Sequence, residues 1–278
     1  MKVLFKSDQI QKLLILVAVV LLSVIYLVLY NHNYQTFING HGENVVKQSL
    51  LIFFYNLHKG MDFGYFQLFV LLCFPLINGF NTFNASVMKY DVYEIQRIGY
   101  LKYYINQVSN AIKGIWYFPL VINLIFILLL IAFGYEFVGQ RSISLYTSSD
   151  ILDLFIFIFL QTLGWIVLNV FCVVLSQIIT NKYLYGLSLL LYSIATTLIS
   201  VMILVPFENT YIPFFGSLQS TLVYLISPFT LLTVGSFSII GVVNEMLIMI
   251  LSIIFYSVLS VFLILIIILR RKKNGHVF

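Results

Sequence analysis

Long apolar runs alternate with short polar intervals along the chain, and the pattern predicts six membrane-crossing helices. A helix needs roughly 20 apolar residues, rising about 1.5 Å each, to cross about 30 Å of hydrocarbon. Runs of this kind lie at about 13–30, 65–83, 115–133, 151–179, 183–205 and 246–269. The second is interrupted by Pro75, Asn78 and Gly79, and the third carries Pro119 near its start. The fourth, if wholly helical, is about 43 Å long, so it must tilt or project beyond the hydrocarbon. Basic residues precede the first run as they would in a signal peptide. That run is too long for a usual signal sequence, and no small-residue cleavage pattern follows it, so it reads as an uncleaved span. The expectation is one all-α transmembrane domain over residues 1–278.

The apolar region 212–243 does not fit this scheme, being broken by Pro213, Gly216, Pro228, Gly235 and Gly241. Charge decides how to read it. With six spans and the N-terminus inside, 12 of the 15 Lys and Arg residues fall on the cytoplasmic side, and only Lys47, Lys59 and Arg141 fall outside. A seventh span would place Arg270, Arg271, Lys272 and Lys273 outside, against the positive-inside rule at its strongest cluster. Region 212–243, with Pro213 and Pro228, is therefore expected to be an outer re-entrant helical hairpin. Irregular backbone at that depth must be covered by protein or line a cavity. The interval 31–64, with His32, His41 and His58, is expected to be an outer loop.

The polar segment 87–113 stands apart from its apolar surroundings. Within it Ile95, Ile98, Leu101, Ile105, Val108 and Ile112 recur at steps of three and four, an amphipathic helical stripe. Gly99 is its weak point, where it can divide into two helices. Two readings are open: an interfacial helix lying on the inner leaflet, or a transverse helix that docks into a cytoplasmic partner.

Composition narrows the class. The chain is 61% hydrophobic and 9% charged, against about 25% charged in soluble domains. The net charge of +5 does not point to nucleic acid, because the basic residues flank apolar runs. Cys73 and Cys172 lie inside apolar runs and read as reduced core thiols, with no disulfide and no metal. The spacing of the three histidines in 31–64 fits no standard ligand pattern, so they read as surface residues.

No catalytic motif stands out, and no Gly-rich phosphate loop is present, so the chain has no P-loop with which to hydrolyse ATP. Asp91, Glu94 and Arg97 lie along one helical side and are the candidate trio for an intramembrane hydrolase or lipid-modifying enzyme. Asn78, Asn81 and Asn84 recur every three residues, and Gln161, Asn169 and Gln177 are spread along the fourth run. These amides serve either interhelical hydrogen bonding or a polar substrate route, for which Asn78, Asn81 and Asn169 are the candidates. No Lys, Arg, Asp or Glu lies deep inside a span, which argues against a proton- or ion-coupled carrier.

The layout resembles the permease subunit of an ABC transporter of the type-2 exporter class. The resemblance rests on six spans, a cytoplasmic helix between spans two and three, a Pro- and Gly-broken hairpin between spans five and six, and a basic C-terminus. In sequence it is carried by residues 91–100 (DVYEIQRIGY) and by Tyr103, Tyr104 and Lys113, with 225–229 (LISPF) similar to the hairpin motif. The Arg that follows the Gly in the family is absent here, and Lys102 is the nearest substitute. The resemblance implies docking of a separate ATPase subunit, carrying ATP and Mg, on Asp91, Glu94, Arg97, Gly99, Tyr100 and Lys102. It further implies a second permease subunit, identical or homologous, and a multi-pass protein of the bacterial plasma membrane with both termini cytoplasmic. The implied cargo is an amphipathic peptide, bacteriocin or drug-like molecule. A non-transporting membrane interaction protein is the remaining alternative.

Overall fold

A computed structural model describes residues 2–41, 50–58, 69–136, 149–203, 210–212, 216–233 and 245–273. The fold is a helical bundle. Its elements are α1 (Lys2–His41), α2 (Leu50–His58), α3 (Phe69–Ile77), α4 (Phe80–Val87), α5 (Tyr90–Ile98), α6 (Tyr100–Ile115), α7 (Tyr117–Ala132), α8 (Asp150–Leu175), α9 (Lys182–Gly186), α10 (Ser188–Ile203), α11 (Leu218–Ile226), α12 (Pro228–Thr233) and α13 (Glu245–Lys273). A two-residue antiparallel pairing, Tyr211 with Ser217 and Ile212 with Gly216, precedes α11. Among the described residues four helices are long and apolar enough to cross a membrane: Lys12–His32, Tyr100–Ala132, Ile151–Leu175 and Met246–Lys273. The bent pair Phe69–Ile77 and Phe80–Val87 makes a fifth if it is counted as one crossing.

The long helices expose apolar side chains, which is the mark of a lipid-facing surface. On α1, Val19, Ser23 and Leu27 are buried against the bundle, while Leu14, Val17, Leu21, Ile25 and Leu29 point outward. α8 is the central post. It touches α3 through its π-helical end, α6, α7, α12 and α13, and buries Phe157, Leu160, Trp165, Leu168, Phe171 and Cys172. Cys73 and Cys172 are both buried free thiols.

The second apolar run bends by 50° between α3 and α4, where Pro75 opens a π-helical turn, Pro75–Gly79. Proline removes an amide donor and crowds the preceding turn, so a kink here has an ordinary cause. Two carbonyls near this region, Pro75 O and Cys172 O, are approached by the Tyr185 hydroxyl at 3.2 and 3.3 Å. That hydroxyl lies where a Cβ on residue 79 would be, so the glycine is required by close approach. The Tyr185 ring stacks on Phe83, centroids 5.2 Å apart. Asn181 caps the start of α9 through the Tyr183 and Leu184 amides.

α6 and α7 run on as one 33-residue helix, about 50 Å long. Its exposed face changes character along the way. Lys102, Asn106, Asn110 and Lys113 are followed, in line on the helix, by Leu120, Leu124, Leu128 and Ile131. Trp116 and Tyr117 sit at the change, as amphipathic rings do at a membrane boundary.

The 31–64 interval differs from its expected loop. α1 continues to His41, and α2 is a buried helix. Leu50, Leu51, Phe53, Phe54, Tyr55, Leu57 and His58 of α2 are all buried. His58 is therefore not a surface residue; it packs on Phe54, Phe126 and Phe157. The nonapeptide LLIFFYNLH is too short to span, which is why it read as loop, yet it has almost no polar face and must be covered. At this end of the bundle Leu50 N donates to Glu136 O, and the Tyr135 hydroxyl donates to Asn31 Oδ1.

α11 and α12 pack between α8, α10 and α13. The Tyr256 hydroxyl donates to Ile226 O at 2.6 Å, and Ser252 Oγ to Tyr224 O at 3.2 Å. The α11–α12 turn therefore lies about 16 Å along α13 from its start at Glu245. Pro228 is the first residue of α12, a position suited to its fixed φ and missing amide. Pro213 lies outside the described residues, as do 234–244. Gly164 of α8 faces the Leu231 carbonyl so closely that a Cβ there would overlap it.

Candidate functional site

The polar segment folds as two helices joined by a bend. Lys89, with φ 59, turns the chain out of α4, and Gly99, with φ 82, separates α5 from α6. Asp91 in the first turn of α5 and Arg97 in the last suit the helix macrodipole. Asp91 and Ile95, one turn apart, form the buried face. Glu94 and Arg97 are on the exposed face.

The bend resets the helical phase. The expected stripe does not continue through α6: Leu101 and Ile105 are 73% and 57% exposed, and Ile112 is exposed too. The buried positions of α6 are instead Tyr103, Tyr104, Ala111, Gly114 and Ile115. A stripe read at constant period assumes one continuous helix, and a left-handed glycine breaks that assumption.

Asp91 is the anchor of α5. Arg271 Nη2, from the last turn of α13, donates to Asp91 Oδ2 at 2.6 Å and to Gln177 Oε1 at 2.9 Å. Side-chain exposure is 1% for Asp91 and 17% for Arg271, so water screens the pair weakly. A separate small core of Ile95, Tyr103, Tyr104, Val174 and Ile267 packs in the same region. Around the ion pair, Asp91 Oδ1, Arg271 Nη1, Gln177 Nε2 and the hydroxyls of Tyr100, Tyr103 and Tyr104 make no hydrogen bond. Removing either charge would leave the other buried and unpaired, which is far costlier than the pair itself is worth.

Outside this anchor lies a groove of about 230 Å³ between α5 and α6, lined by Glu94, Arg97, Ile98, Tyr103, Asn106, Gln107 and Asn110. It offers one carboxylate, one guanidinium and three amides, a set suited to hydrogen-bonding a protein segment of mixed charge. Asp91, Glu94 and Arg97 do not converge as a trio, because Asp91 points inward to Arg271. Gly99 is exposed at the bend, Tyr100 is half-buried, and Lys102 is exposed on α6 but does not line the groove.

No known protein family, curated protein or solved structure matches this chain. The site must therefore be interpreted from its own chemistry. Among the described residues no group of three or more His, Cys, Asp or Glu is placed to hold a metal ion.

The amides divide between packing and surface. Asn169 is buried, and its Nδ2 donates to Ala111 O at 2.8 Å, tying α8 to α6. Asn81 is exposed on α4. The side chain of Asn78 lies outside the described residues. Asn123 Nδ2 donates to Gln161 Oε1 at 2.6 Å, Gln161 Nε2 donates to Leu232 O at 3.0 Å, and His58 bonds Asn123. This network joins α2, α7, α8 and α12.

Two participants went unnoticed in the sequence. Arg271 was one of four terminal cations with a topogenic role, and Gln177 one of three scattered amides. The available signal was Asp91 itself, which sits one turn before Ile95 on an apolar stripe and so demands a buried cation.

Proposed function

We propose that the chain is the membrane-spanning permease subunit of an ATP-driven exporter, powered by a separate ATPase subunit that docks at α5. The observation that carries this reading is the construction of α5. It is a short helix bounded by two non-helical joints, with its inner face anchored to α13 by Asp91 and Arg271 and its outer face, Glu94 and Arg97, beside an open polar groove. Such an element can receive a push on one side and pass it to the bundle on the other. In this reading α9 and α10 form the fifth of six crossings, and α11 and α12 form a re-entrant hairpin entering from the opposite side. The basic end carrying α5 is the cytoplasmic side of a bacterial plasma membrane. A second permease subunit completes the pore, and the cargo is an amphipathic peptide or drug-like molecule. ATP and Mg bind on the partner.

The test is affinity purification of the tagged full chain from its native membrane. A co-purifying protein with a P-loop and ATPase activity is expected, and Glu94→Ala with Arg97→Ala should lower its recovery at least about tenfold while the chain stays folded. Recovery of the chain with no nucleotide-binding partner, or unchanged recovery in the double variant, refutes the assignment.

A further inference from the structure

We propose that α13 is a connecting rod that links the position of α5 to the α11–α12 turn, with Arg271 as its grip on α5. This rests on the transport reading only for its purpose; the mechanical link stands on the geometry alone.

Three observations carry it. First, α5 is jointed at both ends, by the left-handed Lys89 and by Gly99. The joints turn the chain on either side of α5, which packs on its chain neighbours α4 and α6. The polar attachment of its inner face to the bundle is the Asp91–Arg271 pair, and Ile95 packs in the same small core as Ile267 of α13.

Second, α13 is built to transmit. Glu245–Lys273 is an unbroken helix of 29 residues without a proline or glycine, and kinks arise at such residues or at inserted groups. Between Arg271 and Tyr256 lie about 22 Å of continuous helix.

Third, the far grip is equally specific. Tyr256 and Ser252 donate to the carbonyls of Ile226 and Tyr224, at the end of α11 just before the turn into α12. Thr230 Oγ1, on α12, donates to the same Tyr224 carbonyl at 2.6 Å, so both limbs of the turn follow α13.

α8 also reaches both ends, through Gln161 and through Gln177 in the turn just after it. It is packed by several neighbours, however, and serves as the frame. α13 packs along α8 on its inner side and leaves Val258, Val261, Phe262, Leu265 and Leu269 exposed along the other, so a shift of α13 meets no protein on that outer side.

The test uses the full chain in lipid nanodiscs, with no nucleotide, partner or cargo, so its failure is distinct from failure of the transport reading. Maleimide labelling rates are measured at single added cysteines: Ile95→Cys reports release of α5, and Ser227→Cys reports the α11–α12 turn. The chain without an added cysteine supplies the background from Cys73 and Cys172, whose reactivity also reports misfolding. Asp91→Arg and Arg271→Asp alone should each change labelling at both positions about tenfold, a usual size for coupling between sites. The double swap, which restores opposite charges, should return both to within about twofold of the parent. A rise at residue 95 with no change at residue 227 overturns the proposal, as does no change at either. If the swap variants expose Cys73 and Cys172, Asp91→Asn and Arg271→Gln carry the same test with smaller changes in shape.

Discussion

Gly164→Ala puts the packing of α12 on α8 to a test of sign. In a helix interior an Ala for Gly exchange is worth about 1 kcal/mol in favour of Ala. Here the added Cβ would overlap the Leu231 carbonyl oxygen, and it would come within 2.8 Å of Met249 Cε. The methyl end of Met249 can move, since a methionine adapts at little cost. The carbonyl cannot move alone, because the next one, Leu232 O, accepts from Gln161 Nε2 at 3.0 Å and lies 3.5 Å from Trp165 Nε1. Relief therefore shifts α12 away from α8. Overpacking of this kind costs about 1–3 kcal/mol, and weakening the Gln161 bond in a buried place costs about 1 kcal/mol more. After the helix-propensity gain, the net is about 2 kcal/mol of destabilisation, or a fall of roughly 4–8 °C in Tm. The assay is thermal unfolding in detergent followed with a thiol-reactive dye, since Cys73 and Cys172 are buried until the bundle opens. Gly186→Ala is the control, because nothing lies within 4 Å of a Cβ there; its Tm should hold or rise. An unchanged or raised Tm for Gly164→Ala would refute the close approach of α8 and α12.

Two further outcomes follow from the same structure. Tyr185→Phe should lower stability by about 1 kcal/mol, because its hydroxyl reaches Pro75 O and Cys172 O inside the bundle; a Tm equal to the parent's would count against that placement. His58 gives a pH dependence. Burial pushes its imidazole down to about 3 from the ordinary 6.5, and the hydrogen bond with Asn123 opposes this only in part. Between those values the unfolded chain binds a proton that the folded chain does not, so stability falls as pH drops below about 6.5, by at most about 1.4 kcal/mol per pH unit. His58→Gln should flatten the difference between unfolding curves at pH 7 and pH 5; parallel losses in both proteins would sink the assignment of that slope to His58.

Much of the bundle was legible in the sequence, because apolar length is a direct requirement of the bilayer. The runs at 13–30, 151–179 and 246–269 each fall on a long apolar helix. Gly99 was also legible as a weak point, since only glycine adopts that backbone without strain. The register beyond it was not, because a change of helix direction alters which residues face inward while leaving the sequence period unaltered. α2 was missed for a related reason. A nine-residue helix with seven apolar residues meets no length rule, and only neighbours such as Phe126 and Phe157 give it something to pack against.

The candidate site divides in the same way. Local composition marked 87–113 as the polar interval of an apolar chain, and spacing put Asp91, Glu94 and Arg97 on one short helix. What the tertiary structure decided is which of these residues face inward. Asp91 and Arg271 are 180 positions apart, and no local pattern joins them. Their pairing arises because α5 and the end of α13 reach the same end of the bundle, where a carboxylate without water needs a cation. The sequence by itself determined that this chain is made for lipid and where its polar interval lies. The packing of α5 on α13 decided that Asp91 is a tether, leaving Glu94 and Arg97 to face the groove.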